Sequence, residues 1–219
     1  MQSGPIDPFT RREDAPVIRA LLATANFYAR VYHRLTIRRA SQLPRDGPAI
    51  LVCNHTSGLD PALIQAGCHR LIRWMMAQEY FDIRGLKWFF KTVGAIPVQR
   101  SGRDMAATRA AMRALERGFV LGVFPEGKIE TGPELLPFHN GIGLMALKTG
   151  APVFPAYLEG KQRGREMLAA LTLVSGASVV FGPPVDLSDL DHSRRGVEQA
   201  TARIQTAVAA LKEPHIDRC

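Results

Sequence analysis

Ala49-Ile50-Leu51-Val52-Cys53-Asn54-His55-Thr56-Ser57-Gly58-Leu59-Asp60 is an apolar run of five that breaks at once into polar and small residues. Pro44-Arg45-Asp46-Gly47-Pro48 supplies a turn ahead of it, so the run is bounded as a buried strand is, with no amphipathic alternation. Its exit offers an imidazole and a carboxylate. A neutral imidazole can take a proton from a hydroxyl, and a nearby carboxylate sets its tautomer and stabilises the imidazolium that forms. Side chains five positions apart on one continuous helix would lie on different faces. Thr56-Ser57-Gly58 must therefore turn the chain back, with Gly58 as the expected pivot. Pro61 suits the first turn of a helix and leaves Asp60 at its cap. The same residues also admit a plainer account, in which Asp60 only caps the helix and His55 is a satisfied polar residue at a strand end.

A second apolar run, Phe119-Val120-Leu121-Gly122-Val123-Phe124, ends in Pro125-Glu126-Gly127-Lys128, again placing polar chemistry where a strand stops. Ligands of open α/β sheets sit outside the carboxyl ends of the strands, so the two exits are expected to share one crevice. Further out the pattern alternates. Residues 16 to 35 carry Val17, Leu21, Leu22 and Ala25 near helical spacing, and a strand is expected at 36–39. A helix from Pro61 precedes a strand at 71–76, and helical material over 79–91 precedes a short strand at 95–98. Asp104 is placed to cap a helix running through Arg117. Strands follow at 153–158 and 178–181, with a final helix over 194–211. The alternation predicts a layered single α/β domain with a mostly parallel or mixed central sheet flanked by helices, plus an N-terminal amphipathic helix.

Four blocks in order resemble the phospholipid and glycerol acyltransferase family, whose best-known members acylate 1-acylglycerol-3-phosphate. They are Asn54-His55 with Asp60; Gly94-Ala95-Ile96-Pro97-Val98-Gln99-Arg100; Phe124-Pro125-Glu126-Gly127; and Ala151-Pro152-Val153-Phe154-Pro155-Ala156. The resemblance spans roughly residues 45 to 185. It implies an O-acyltransferase, with acyl-CoA or an acyl carrier protein as donor, a lyso-lipid as acceptor and no other cofactor. It further implies His55 as base, Asp60 as its orienting partner, and Arg100, Glu126, Gly127 and Lys128 as substrate-binding residues. Pro152 and Pro155 would shape the wall near the acyl chain, or serve only as prolines at a strand edge. The chain then divides into an N-terminal segment, 1–40, whose amphipathic helix either packs against the domain or lies in a membrane interface beside Arg30, Arg34, Arg38 and Arg39, and the acyltransferase domain, 41–219. The chain departs from the family pattern where Phe-Pro-Glu-Gly is usually followed by Thr and Arg. Lys128-Ile129-Glu130 stands there instead, and the downstream Phe-Lys-x-Gly becomes Phe138-His139-Asn140-Gly141. Two cations expected to bind phosphate are thus altered, which leaves open either relaxed acceptor choice or a binding protein with little catalysis.

A length of 219 residues suits one domain with a substantial core, and 46% hydrophobic residues suit a globular chain. The formal charge of +8 favours an anionic partner. No nucleic-acid-binding module is recognisable, so an anionic membrane surface or a phosphorylated substrate is expected in place of nucleic acid. Cys53, Cys68 and Cys219 are too few and scattered for a disulfide framework. A cytoplasmic setting follows, peripheral on the inner face of the membrane. Met1 to Asp14 does not read as a signal peptide, and the stretch from Val17 to Leu35 is interrupted by Arg19, Arg30, His33 and Arg34, against spanning a bilayer.

Other chemistries fit less well. Gly141-Ile142-Gly143-Leu144-Met145-Ala146 matches a dinucleotide-loop pattern but follows no convincing strand, so it reads as a glycine-rich helix start. The absence of a Gly-x-Ser-x-Gly elbow speaks against a serine esterase. The six histidines do not cluster with acids at metal-ligand spacing, and no catalytic metal is expected. Cys53 adjoins His55 closely enough to suggest a thiol nucleophile, but its apolar neighbours favour a small buried residue.

Overall fold

The computed structural model describes residues 16–99, 104–132, 134–160, 170 and 174–212. In chain order the elements are α1 (Pro16–Val31), β1 (Thr36–Arg39), β2 (Ala49–Cys53), α2 (Asp60–Gln65), β3 (Ile72–Ala77), α3 (Gln78–Phe81), α4 (Lys87–Thr92) and β4 (Ile96–Val98). They continue as α5 (Met105–Glu116), β5 (Val120–Val123), α6 (Gly141–Thr149), β6 (Val153–Gly160), β7 (Ala177–Phe181) and α7 (Arg194–Ala209). The strands form one sheet in the order β1-β7-β6-β2-β5-β3-β4. β6, β2, β5, β3 and β4 run parallel. β7 pairs antiparallel with β6, and β1 pairs parallel with β7, so the two outer strands run the other way.

β2 lies near the middle of the sheet, and all five of its residues are buried. Leu51 and Cys53 face a core shared with α2, whereas Ile50 and Val52 face a second core with α5 and α6. Each aliphatic side chain removed from water in this way contributes about 1.5–3 kcal/mol, which is why a run with no polar alternation takes the central position.

Two expected helices are shorter or split. The one expected over 16–35 ends at Val31 because Arg34 adopts a left-handed φ of 45°, turning the chain into β1. Helical material over 79–91 divides into α3 and α4 around Gly85, whose φ is 90°. α5 starts as expected, Asp104 Oδ1 accepting from the N–H groups of Ala106 at 3.0 Å and Ala107 at 2.9 Å. Gly141 opens α6 out of a loop, so the glycine pattern there is a helix start and not a nucleotide turn. Gly143 has a packing role: a Cβ there would lie 2.5 Å from Val197 O and from Thr201 Oγ1 of α7. Its bare Cα lets the first turns of α6 and α7 touch.

Candidate active site

His55 follows the carboxyl end of β2, and the chain does fold back to it. His55 Nδ1 lies 3.0 Å from Asp60 Oδ2. The turn is built differently from the expectation. Gly58 is not in the left-handed region, and Leu59, not Asp60, holds the cap position of α2, with no side-chain capping bond. The Asp60 carboxylate itself closes the turn. Its Oδ2 accepts from the backbone N–H of Thr56 and, at 2.9 Å, of Ser57, while Oδ1 accepts from Ser57 Oγ at 2.7 Å. Asp60 is fully buried, and this set of donors compensates the burial of its charge. An ionised carboxylate only accepts, so the proton sits on His55 Nδ1 and the lone pair on Nε2.

Asn54, the residue before the imidazole, is anchored to β6 by its own side chain. Its Nδ2 donates to Leu158 O at 2.9 Å and its Oδ1 accepts from Leu158 N at 2.8 Å, continuing the β2–β6 ladder with an amide side chain. Cys53 is wholly buried and its Sγ–H donates to Asn54 Oδ1 at 3.3 Å. Burial pushes its thiol well above the ordinary cysteine value, so it is a packing residue and no nucleophile.

Glu126, expected among the substrate-binding residues, is buried and turned inward. Its Oε1 accepts from His55 N at 2.8 Å and its Oε2 from Leu136 N at 3.1 Å. Burial raises its pKa above the ordinary glutamate range, against the lowering effect of those two backbone donors. Glu126 therefore ties the backbone of His55 to the 126–136 loop. Glu130 N completes the tie by donating to His55 O at 2.8 Å. Gly127, expected among the substrate-binding residues, takes a left-handed φ of 71°, and its N–H donates to Phe124 O at 3.1 Å within the turn. Lys128 is exposed. Arg100 lies outside the described residues.

A cavity of about 1370 Å³ opens beside His55, beyond the roughly 300–1,000 Å³ usual for small-molecule sites. Apolar residues of α1 (Ile18, Leu21, Leu22, Ala25) and of β3 and α4 (Trp74, Met75, Phe89) line one part of it. Lys128, Ile129, His139 and Arg194 line another. A long apolar chain and an anionic group thus have complementary walls around one imidazole. Pro152 and Pro155 are not part of the lining. Among the described residues no group of three or more His, Cys, Asp or Glu is placed to hold a metal, and no helix is long and apolar enough to cross a membrane.

Sequence reasoning missed three contributors: Asn54 as a ladder surrogate, Glu126 as a loop tie, and Phe124 as a ring stacked on His55 at 4.1 Å between centroids. A buried amide or acid at a strand exit must be satisfied, which was the available signal for the first two.

The sequence pattern of the Acyltransferase family matches residues 34–159. A 1-acyl-sn-glycerol-3-phosphate acyltransferase of Bacillus subtilis is 25% identical over 151 residues, covering 68% of this chain and 73% of that protein. A tafazzin of Drosophila melanogaster is 31% identical over 193 residues, 80% of this chain, which spans only 50% of the fly protein. The crystal structure of the 1-acyl-sn-glycerophosphate acyltransferase PlsC from Thermotoga maritima superposes with a TM-score of 0.70 over 94% of this chain and 84% of that one, at 21% identity. That likeness is one of fold.

Proposed function

Because the chain belongs to the acyltransferase family and is thereby an O-acyltransferase of lipid metabolism, we propose that it moves a fatty acyl group from acyl-CoA or an acyl carrier protein to the free hydroxyl of a lyso-glycerophospholipid. 1-Acylglycerol-3-phosphate is the leading acceptor. The observation that carries this reading is the His55 Nδ1 to Asp60 Oδ2 contact of 3.0 Å at the wall of a large, partly apolar cavity.

In the proposed reaction His55 Nε2 takes the acceptor hydroxyl proton while the oxygen attacks the thioester carbonyl. Asp60 stabilises the imidazolium. The tetrahedral intermediate then expels the thiolate, which takes the proton back from the imidazolium, leaving ester and free thiol. No acyl-enzyme forms. General-base assistance supplies roughly 10²- to 10⁴-fold, and positioning of hydroxyl and thioester supplies much of the rest. With Ile129 and His139 where related sequences offer cations, fewer fixed charges face a phosphomonoester, and this supports tolerance for other lyso-lipid headgroups.

The net charge of +8 and the exposed Phe27 and Val31 beside Arg30 and Arg34 support work at an anionic membrane surface. The test is product mass spectrometry with purified protein, both donor types and a panel of lyso-lipids in anionic vesicles. Wild type is expected to form diacyl product at a rate that falls with salt, since screening weakens adsorption. His55→Ala is expected to remain folded and lose roughly 10²- to 10⁴-fold in turnover, with Asp60→Asn also severe. Near-wild-type turnover in folded His55→Ala protein refutes the mechanism.

A further inference from the structure

The hydrogen bond from His55 to Asp60 pins one ring nitrogen but leaves the imidazole free to swing about that contact. A second restraint is present. The Phe124 ring lies parallel to the imidazole, 4.1 Å away between centroids and 14° from coplanar, and the Trp74 indole stacks on the far side of Phe124 at 4.7 Å and 9°. Three rings from three neighbouring strand segments make one column. Its base is prepared by the backbone: Trp74 pairs in register with Gly122, where a Cβ would come within 2.6 Å of both Trp74 Cδ2 and Ile72 Cγ2. Only a residue without a side chain lets the indole lie flat over β5. The buried Trp74 Nε1–H has no hydrogen-bond partner among the described residues, so polar contacts do not hold the ring where it is; stacking does.

We propose that Phe124, backed by Trp74, is a positioning residue for the base, fixing the plane of the His55 imidazole and stabilising its cationic form as the proton arrives. The inference rests on His55 being the base. An imidazolium over the electron-rich face of a phenyl ring is attracted more strongly than a neutral imidazole, so the contact strengthens as charge develops in the transition state. It therefore acts on turnover, while donor and acceptor binding rest on the remainder of the cavity. The Asp60 bond restrains the ring in its plane and the stack restrains it across its plane, and the two together define the direction of Nε2.

The experiment compares Phe124→Leu, Phe124→Tyr, Trp74→Leu and Trp74→Phe by steady-state kinetics and by NMR of the His55 ring protons. Phe124→Leu is expected to lower kcat about 10- to 100-fold, the scale of a small misplacement of reacting groups, with both KM values within about twofold of wild type. Phe124→Tyr is expected to recover most of that loss, and Trp74→Phe to recover most of the smaller loss in Trp74→Leu. The His55 ring-proton resonances, shifted upfield by the stacked ring, should move downfield in Phe124→Leu and stay in Phe124→Tyr. A folded Phe124→Leu protein with wild-type kcat, or a loss confined to KM, overturns the proposal. So does a Phe124→Tyr variant as impaired as Phe124→Leu. Activity surviving in His55→Ala would instead remove the base itself, and the NMR shift, which needs no turnover, separates the two failures.

Discussion

Replacing Asn54 by alanine removes a side chain that behaves as a piece of backbone. Besides accepting from Cys53 Sγ–H, it makes two bonds to Leu158, at 2.9 Å and 2.8 Å, and both Asn54 and Leu158 are buried. Asn54→Ala leaves the Leu158 N–H and C=O without partners, and each orphaned buried group costs about 1–3 kcal/mol. Two of them give roughly 2–6 kcal/mol, with the lower end applying where a water fills the vacated amide. A domain with a net stability of about 5–15 kcal/mol survives this at 25 °C but loses much of its reserve. Urea unfolding followed by circular dichroism is the assay, and at m values of about 2–3 kcal/mol per molar the midpoint should fall by roughly 0.7–3 M with m unchanged. Asn54→Asp sharpens the test. At neutral pH the introduced carboxylate faces the Leu158 carbonyl and repels it, whereas the protonated acid again offers one donor and one acceptor. The defect should therefore shrink as pH falls. A loss below about 0.5 kcal/mol in Asn54→Ala, the size of an ordinary surface substitution, would refute the view that this amide completes the β2–β6 ladder.

Glu126, whose burial raises its pKa, should make the native state favour the protonated acid. Its contribution to stability is fully present below the ordinary glutamate value and is lost as pH rises through the raised native value. Denaturation of wild type and Glu126→Gln across that window should show wild type losing ground as pH rises; a constant difference would count against the buried, raised acid. Burial raises the Cys53 thiol far above its usual value and pushes Cys68 up to about 12, so both should resist alkylation at pH 8 until the protein is unfolded. Peptide mass spectrometry after iodoacetamide reads this directly, and rapid labelling of native Cys53 would contradict its burial.

Apart from β1, whose Thr-Ile-Arg-Arg is largely exposed, the strands were legible as short, mainly apolar runs, and β2 and β5 announced both their burial and their polar exits. The direction of β1 and β7 was not legible, since neither the exposed pattern of the edge strand β1 nor the buried run of β7 carries a signal of which way it runs against its neighbour. At the site, the spacing of His55 and Asp60 demanded a fold-back, but its mechanism was misassigned to Gly58. A carboxylate that gathers the N–H groups of Thr56 and Ser57 makes the same turn without any special backbone conformation. Glu126 has a bonding role that the sequence reading did not weigh. An acidic residue beside an expected substrate loop invites a ligand, yet the unpaired N–H groups of His55 and Leu136 were the nearer demand. The ring column was invisible in sequence because Trp74, Phe124 and His55 come from three separate segments.

The reversed direction of β1 reaches beyond topology. A strand running against β2 enters the sheet at the end where His55 stands, so α1, which feeds β1, is delivered to the mouth of the cavity and not to the opposite edge. The His55–Asp60 pair, Asn54, Glu126 and Leu158 all fall within residues 34–159, while α1 and α7 lie outside that stretch. Part of the chamber's apolar wall is thus written outside the passage that holds the His55–Asp60 pair. An exchange of residues 16–31 among relatives would refit one wall of the chamber while leaving the pairing of the five central strands untouched.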